Sequence, residues 1–349
     1  MTPGEVFLSE IYEQPQALRR LLEHQDELES IGRRIAERGP TLLRLVGHGS
    51  SDNAASYGVY AFGLLPGWTA MRDSISLTVY YGARLDLRGS VVIALSQSGR
   101  TPDVVEYVRR ARREGALTVA LTNEPGSELG SAADEVVGLR AGPEHGVAAT
   151  KTYLNELAAL VLIAGAAAGR GAEVAQAASR VADLLDGAMA LLHEDVTTVA
   201  VAFAFIGRMF VVGRGVEFAT AREVALKLTE TCRVAAEPLT ATDLVHGPVA
   251  ALDPQFPVWI IASRDESLPA VVDAASRAKA TGATLVASGS AASEIPGADY
   301  VLGVPEAPLP VLAPLLSVLP GQFFAAALAR AKGLDPDRPA GLSKVTLAR

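Results

Sequence analysis

The chain repeats itself at long range. Ser90-Val91-Val92-Ile93-Ala94-Leu95-Ser96, a helical stretch and Gly115-Ala116-Leu117-Thr118-Val119-Ala120-Leu121-Thr122 form one layout. It returns as Pro257-Val258-Trp259-Ile260-Ile261-Ala262-Ser263 and Gly282-Ala283-Thr284-Leu285-Val286-Ala287-Ser288. Ser96 to Ser263 and Gly115 to Gly282 are both 167 residues apart, and a shift of 166 carries Leu45-Val46-Gly47-His48-Gly49 onto Val211-Val212-Gly213-Arg214-Gly215. These are two copies of one strand-loop-helix-strand unit. The strands are continuous apolar runs, the pattern of parallel strands buried on both faces, and the helices between them make the chain α/β. Its 349 residues suit two such domains, each with its own core.

A pass along the chain predicts helices over about residues 4–37, broken near Pro15, then a strand at Leu42–Val46, a turn over residues 47–53 and a helix from Ala54. A long helix is expected over about 152–169. The domains expected are 1–171, with the N-terminal helices and the first repeat; 172–198, a helical connector; 199–332, the second repeat; and 333–349, a tail whose Asp335-Pro336-Asp337-Arg338-Pro339 is too rich in proline for a helix.

The net charge of −8 argues against nucleic acid or a membrane surface as a general partner. The single cysteine, Cys232, allows no internal disulfide or thiolate cluster and reads as a buried, inert thiol. The amino terminus lacks a positive segment followed by an apolar core. The apolar stretch over 307–328 is interrupted by Pro308, Pro310, Pro314 and Pro320, so neither a secretory signal nor a membrane span is expected. The expectation is a cytoplasmic protein. With no H-x-x-x-H, no cysteine pair and no dense Asp cluster, neither a metal nor another cofactor is expected.

Between the strand ending at Leu95 and the next helix lies Ser96-Gln97-Ser98-Gly99-Arg100-Thr101. Thr101 suits the N-cap and Pro102 the first helical position, so hydroxyls, loop N–H groups and the positive end of a helix converge on one point. Alone, the segment also fits an ordinary polar turn. There is no Walker Lys-Ser/Thr pair and no G-x-G-x-x-G, so a phosphorylated small molecule is favoured over a nucleotide.

Taken in order, Gly49-Ser50-Ser51, Leu95 to Asp103, Asn123-Glu124-Pro125-Gly126-Ser127, Gly146-Val147-Ala148-Ala149-Thr150-Lys151, Gly213-Arg214-Gly215, Glu223 to Glu230, His246-Gly247-Pro248 and Leu342-Ser343-Lys344 resemble the sugar isomerase (SIS) domain family, in particular the isomerase half of glucosamine-6-phosphate synthase. The likeness spans nearly the whole chain. It implies two SIS domains, each a doubly wound, flavodoxin-like parallel sheet. It further implies that Ser51, Ser96, Gln97, Ser98 and Thr101 hold a sugar phosphate, and that Val147 and Ser343 contact the sugar through backbone groups. Ala149 departs from the serine of that pattern, and Thr240-Ala241-Thr242-Asp243-Leu244-Val245 differs from the usual run before His-Gly-Pro.

Glu223, Lys227 and Glu230 are spaced by four and three, so a helix carries them on one face. That spacing also describes a solvated ion-pair ladder. The resemblance makes Glu230 the carboxylate that shuttles a proton between C1 and C2, Lys227 its helix lysine and Glu223 the supporting carboxylate. It makes His246 the acid/base for ring opening, entering from a neighbouring subunit of a homodimer, and Lys344 a Schiff-base lysine on a tail that closes over the sugar. The synthase's glutamine-hydrolysing domain needs a terminal cysteine, whereas the sequence begins Met1-Thr2-Pro3, so glutamine-dependent synthesis is not expected. The leading expectation is a deaminase/isomerase converting glucosamine 6-phosphate to fructose 6-phosphate and ammonia. The alternatives are an isomerase without nitrogen loss, a fructosamine-phosphate deglycase, an eliminating enzyme acting on N-acetylhexosamine phosphates, and a phosphosugar-sensing module without turnover.

Overall fold

The computed structural model describes residues 2–344. Within them are two five-stranded, all-parallel sheets of identical relative order. The first comprises β1 (Leu42–Val46), β2 (Ala70–Arg72), β3 (Ser90–Leu95), β4 (Leu117–Thr122) and β5 (Glu135–Gly138), ordered β2-β1-β3-β4-β5. The second comprises β6 (Arg208–Gly213), β7 (Ala235–Thr240), β8 (Val258–Ile261), β9 (Leu285–Gly289) and β10 (Tyr300–Gly303), ordered β10-β9-β8-β6-β7. Counted from its own first strand each sheet reads 2-1-3-4-5, the doubly wound order. The repeat holds at the backbone as well. Gly49 and Gly215 both have positive φ, 57° and 60°.

By Cα packing the chain divides into two compact units. The unit of the first sheet takes Gln16–Glu144, Lys151–Ser179 and, of the described carboxyl-terminal residues, Ser343 and Lys344. Its helices are α2 (Gln14–Leu22), α3 (Gln25–Arg38), α4 (Ser50–Leu64), α5 (Ile75–Val79), α6 (Pro102–Arg113), α7 (Glu128–Ala132) and α8 (Lys151–Ala167), α2 beginning two residues before the unit does. β3 is buried at every position, as its run of Val, Ile, Ala and Leu requires. α6 has Thr101 at the N-cap, Pro102 in its first turn and Arg110, Arg112 and Arg113 in its last, each end complementing the helix dipole. Val104, Val105, Tyr107, Val108 and Ala111 are its buried face.

The unit of the second sheet takes the described residues up to Pro15, His145–Thr150 and Arg180–Leu342. Its helices are α1 (Glu5–Tyr12), the greater part of α9 (Gly171–Ala202), α10 (Glu217–Cys232), α11 (Ala241–Val245), α12 (Leu268–Ala280) and α13 (Ala313–Ala331). Carboxylates anchor α1 there. Asp337 accepts hydrogen bonds from the backbone N–H of Gly4, Val6 and Phe7, and buried Glu10 accepts from those of His145 and Gly146.

Several boundaries differ from the sequence reading. The N-terminal stretch is three helices, interrupted at Glu13 and again around His24, and Pro15 lies in the first turn of α2, where a missing N–H costs nothing. α4 begins at Ser50 rather than Ala54. α9 runs on to Ala202, so residues 199–202 are helical and the second sheet begins at Arg208. Pro308 and Pro310 precede the carboxyl-terminal helix, but Pro314 and Pro320 do not break it. α13 starts around Pro314 and continues through Pro320. It is long and apolar enough to cross a membrane, but 94% of that window is buried, as a core helix must be. Of the tail expected over 333–349, residues 345–349 lie outside the described residues.

Candidate functional site: a hydroxyl-lined loop and a buried Glu-Lys-Glu array

The loop after β3 closes on itself through hydroxyls. The N–H of Gly99 donates to the Ser96 Oγ at 3.2 Å, the Ser96 and Thr101 hydroxyls lie 3.2 Å apart, and the N–H of Arg100 donates to Ser98 Oγ at 3.3 Å. Thr101 holds the N-cap position with extended φ and ψ, yet its side chain makes no capping bond. Its hydroxyl turns into the loop instead of onto α6. The Gln97 carbonyl accepts from the N–H of Asn123 at 3.1 Å, which ties the loop to the end of β4. Gly99 has φ of 61°, and a Cβ there would stand 1.9 Å from the Ser127 hydroxyl, so this turn requires glycine. Ser51, second residue of α4, is buried, and its hydroxyl donates to Glu156 on α8 at 2.7 Å. The side chain of His48, from the same turn, meets Asp103 in the first turn of α6 at 2.8 Å.

α10 carries the acid-base array. Lys227 Nζ stands 2.6 Å from Glu230 Oε2 and 3.3 Å from Glu223 Oε1, and the side chains of Lys227 and Glu223 are 1% and 0% exposed. That excludes a solvated ladder. Burial by itself would lower the lysine's pKa, but the two carboxylates outweigh it and hold the ammonium above its ordinary range. Glu230, at 22% exposure, is the member that reaches solvent.

The remaining expected residues are distributed as follows. Val147 is half-buried in the irregular segment between Pro143 and Thr150, the segment held through the N–H groups of His145 and Gly146 by Glu10. Ser343 is exposed, and Lys344 Nζ donates to Glu144 Oε2 at 3.2 Å, the Glu144 side chain being fully buried. His246 is exposed at the C-cap of α11, just before Gly247 with φ of 145°. Among the described residues no hydrogen bond or ion pair joins its side chain to Glu223, Lys227 or Glu230. Glu10, Glu144, Glu156 and Glu217 were not singled out by sequence reasoning, because each is a lone carboxyl with no local spacing to mark it.

In the second sheet, the positions matching the hydroxyl loop are occupied differently. Ser263, counterpart of Ser96, donates at 2.5 Å to Glu217, the counterpart of Ser51. Thr220 donates to the same carboxyl at 2.6 Å, and Ser317 on α13 adds a third hydroxyl. Complete burial pushes the Glu217 pKa up, the hydroxyls restrain the rise and nearby Asp265 adds to it.

Comparison with known proteins places this geometry. The model of the SIS domain matches residues 43–166 and again 202–330, so the chain belongs to the SIS domain family. The glutamine-fructose-6-phosphate aminotransferase [isomerizing] of Aeropyrum pernix is 36% identical over 97% of this chain, and that of a Thermus thermophilus strain is 34% identical over 97%. The chain spans only about half the length of these relatives, 56% and 58%. Among solved structures, a Silicibacter pomeroyi protein provisionally named a phosphosugar isomerase matches with TM-score 0.84 and 31% identity, over 95% of this chain and 99% of that one. The C-terminal domain of the Francisella tularensis glucosamine-fructose-6-phosphate aminotransferase matches with TM-score 0.87 and 26% identity, over 96% and 98%.

The raised pKa of Glu217 has a definite consequence for stability. A carboxyl whose pKa is higher folded than unfolded binds its proton more tightly in the native state. Its contribution is complete below the ordinary glutamate value of about 4.3 and is lost as pH rises through the raised value, with a slope of at most about 1.4 kcal/mol per pH unit. Urea denaturation across that window should show Glu217→Gln with a flatter stability profile than the parent chain. Parallel profiles would show that Glu217 does not titrate differently on folding.

Proposed function

We propose that the chain is a phosphosugar enzyme that moves a proton between C2 and C1 of a hexose 6-phosphate, with glucosamine 6-phosphate as substrate and fructose 6-phosphate and ammonia as products. The observation that carries this reading is the buried Glu223-Lys227-Glu230 array, a carboxylate reaching solvent beside an ammonium kept charged. The hydroxyl loop supports the substrate class. Ser96, Ser98 and Thr101, with Gln97 and the N-terminus of α6, hold the phosphate by hydrogen bonds and the helix dipole, and Ser51 joins them by turning its hydroxyl from Glu156 to the anion. Val147 and Ser343 present backbone groups to the sugar.

His246 transfers the proton that opens the pyranose ring and exposes the C1 aldehyde. Glu230 then removes the C2 proton, giving an enolamine, and returns a proton to C1. The product is the C2 ketose imine. Water adds to the imine carbon, and ammonia leaves with the electron pair of the C–N bond, giving the ketose phosphate. Lys344, whose Nζ lies 3.2 Å from Glu144 Oε2, condenses with the ketose carbonyl to an imine, the carbonyl oxygen leaving as water, and hydrolysis of that imine returns the lysine and the ketose phosphate. The 31% likeness to the Silicibacter protein, provisionally named a phosphosugar isomerase, supports phosphosugar isomerisation without nitrogen loss as the second reading. The same proton path would then release no nitrogen, so ammonia and ketose assays on a panel of hexose, hexosamine and N-acetylhexosamine phosphates separate the two.

If the phosphate dominates binding, Ser98→Ala should weaken phosphosugar affinity by roughly 1–3 kcal/mol in calorimetry. Equal affinity for phosphorylated and unphosphorylated sugar would defeat the cradle. Glu230→Gln keeps the shape of the side chain and loses the base, so turnover should fall on the order of 10² or more, and solvent deuterium should no longer enter C1 or C2. Parental rates would return the array to a structural role. We further propose a homodimer in which His246 serves the partner's site. Neither Glu230→Gln nor His246→Ala chains should be active alone, whereas mixing them should restore roughly a quarter of parental sites. No recovery after demonstrated subunit exchange would place the histidine within its own chain.

A further inference from the structure

Two connections build the hydroxyl-lined crevice of the first sheet, and one side-chain bond links them. His48 leaves the turn after β1 and its Nε2 lies 2.8 Å from Asp103 Oδ2. Asp103 belongs to the first turn of α6 and is 8% exposed, and its other oxygen accepts from the N–H of Val104 at 2.9 Å. The turn that carries His48 is tight. Its carbonyl accepts from the N–H of Ser51 at 3.1 Å, and a Cβ on Gly47 would stand 2.9 Å from the Ser51 backbone. A displacement of His48 therefore carries Ser51 with it. Asp103 also presents a difficulty. It is a largely buried carboxylate at the same helix end that would receive a phosphate, where like charges repel.

We propose that His48 is a positioning residue for phosphate binding. By hydrogen bonding to Asp103 it locks the Ser51 turn to the Ser98–Thr101 end of α6 and turns the Asp103 carboxylate away from the incoming anion. This rests on the phosphosugar reading above. The bond needs no charge on the imidazole, since neutral Nε2–H donates to a carboxylate. Asp52, in the same turn, pairs with Arg72, whereas Arg100, in the loop between β3 and α6, is an exposed cation beside the crevice.

The test uses the full chain, with inorganic phosphate and glucosamine 6-phosphate titrated into the parent, Ser98→Ala, His48→Ala and His48→Gln, each checked by thermal melting. His48 is half exposed, so its replacement should leave the fold intact. His48→Ala should weaken both ligands about 5- to 20-fold and raise KM by the same factor, with kcat unchanged within about 2-fold. His48→Gln, whose amide reaches the Nε2 position, should restore binding to within about 2-fold of the parent. Parental affinity in His48→Ala alongside weakened Ser98→Ala would overturn the proposal while leaving the cradle standing. So would equal losses in the Ala and Gln variants. No phosphate binding by the parent chain would overturn the cradle and this bond's role together.

Discussion

In each half of the chain, the order of the strands decides where chemistry can sit. A parallel sheet ordered 2-1-3-4-5 sends the chain to one side after its first strand and to the other after its third, so the two connections part and leave a crevice at the carboxyl ends of neighbouring strands. In the first sheet the turn after β1 and the loop after β3 approach closely enough for His48 to reach Asp103. In the second, the turn after β6 and the loop after β8 approach closely enough for Glu217 to reach Ser263. α4, α6 and α10 begin at these crevices, so backbone N–H groups are directed there by the fold itself. In a chain of net charge −8, these helix starts direct positive backbone dipole ends at the crevices.

The two crevices differ by an exchange of side chains. The first has a hydroxyl at the turn, Ser51, and a carboxyl on the closing helix, Glu156. The second has the carboxyl at the turn, Glu217, and the hydroxyl on the closing helix, Ser317. Each arrangement satisfies a buried carboxyl that would otherwise cost several kcal/mol. The exchange has opposite effects on an anion. Glu217 takes the positive end of α10 for itself, and Asp265 stands where the first repeat has Ser98. The second crevice is therefore self-filled, and the second repeat presents Glu223, Lys227 and Glu230 further along the same helix instead.

Much of this was legible in the sequence because parallel strands buried on both faces must be apolar throughout, which made the repeat and the sheets visible. The hydroxyl loop was visible because strand, loop and helix start are consecutive. Burial was not. The spacing of Glu223, Lys227 and Glu230 is the same for a solvated ladder and for a sequestered array, and only the covering of α10 decides between them. Carboxyls that work across the fold left no local trace. Ser51 meets Glu156 from 105 residues away, and Glu10 meets His145 from 135. Pro320 misled the reading of α13 because a proline-bearing helix can be retained when tertiary packing outweighs one lost backbone bond, as it does in this buried core helix.

The array on α10 holds three charged side chains together. Glu230 with Lys227 alone would be a neutral ion pair. Glu223, wholly buried against the same ammonium, changes the balance. Two carboxylates and one ammonium carry a net charge of −1, and a buried net charge is unfavourable. Lys227 is therefore the member on which the array depends, since without its ammonium two carboxylates would face each other, one of them wholly buried.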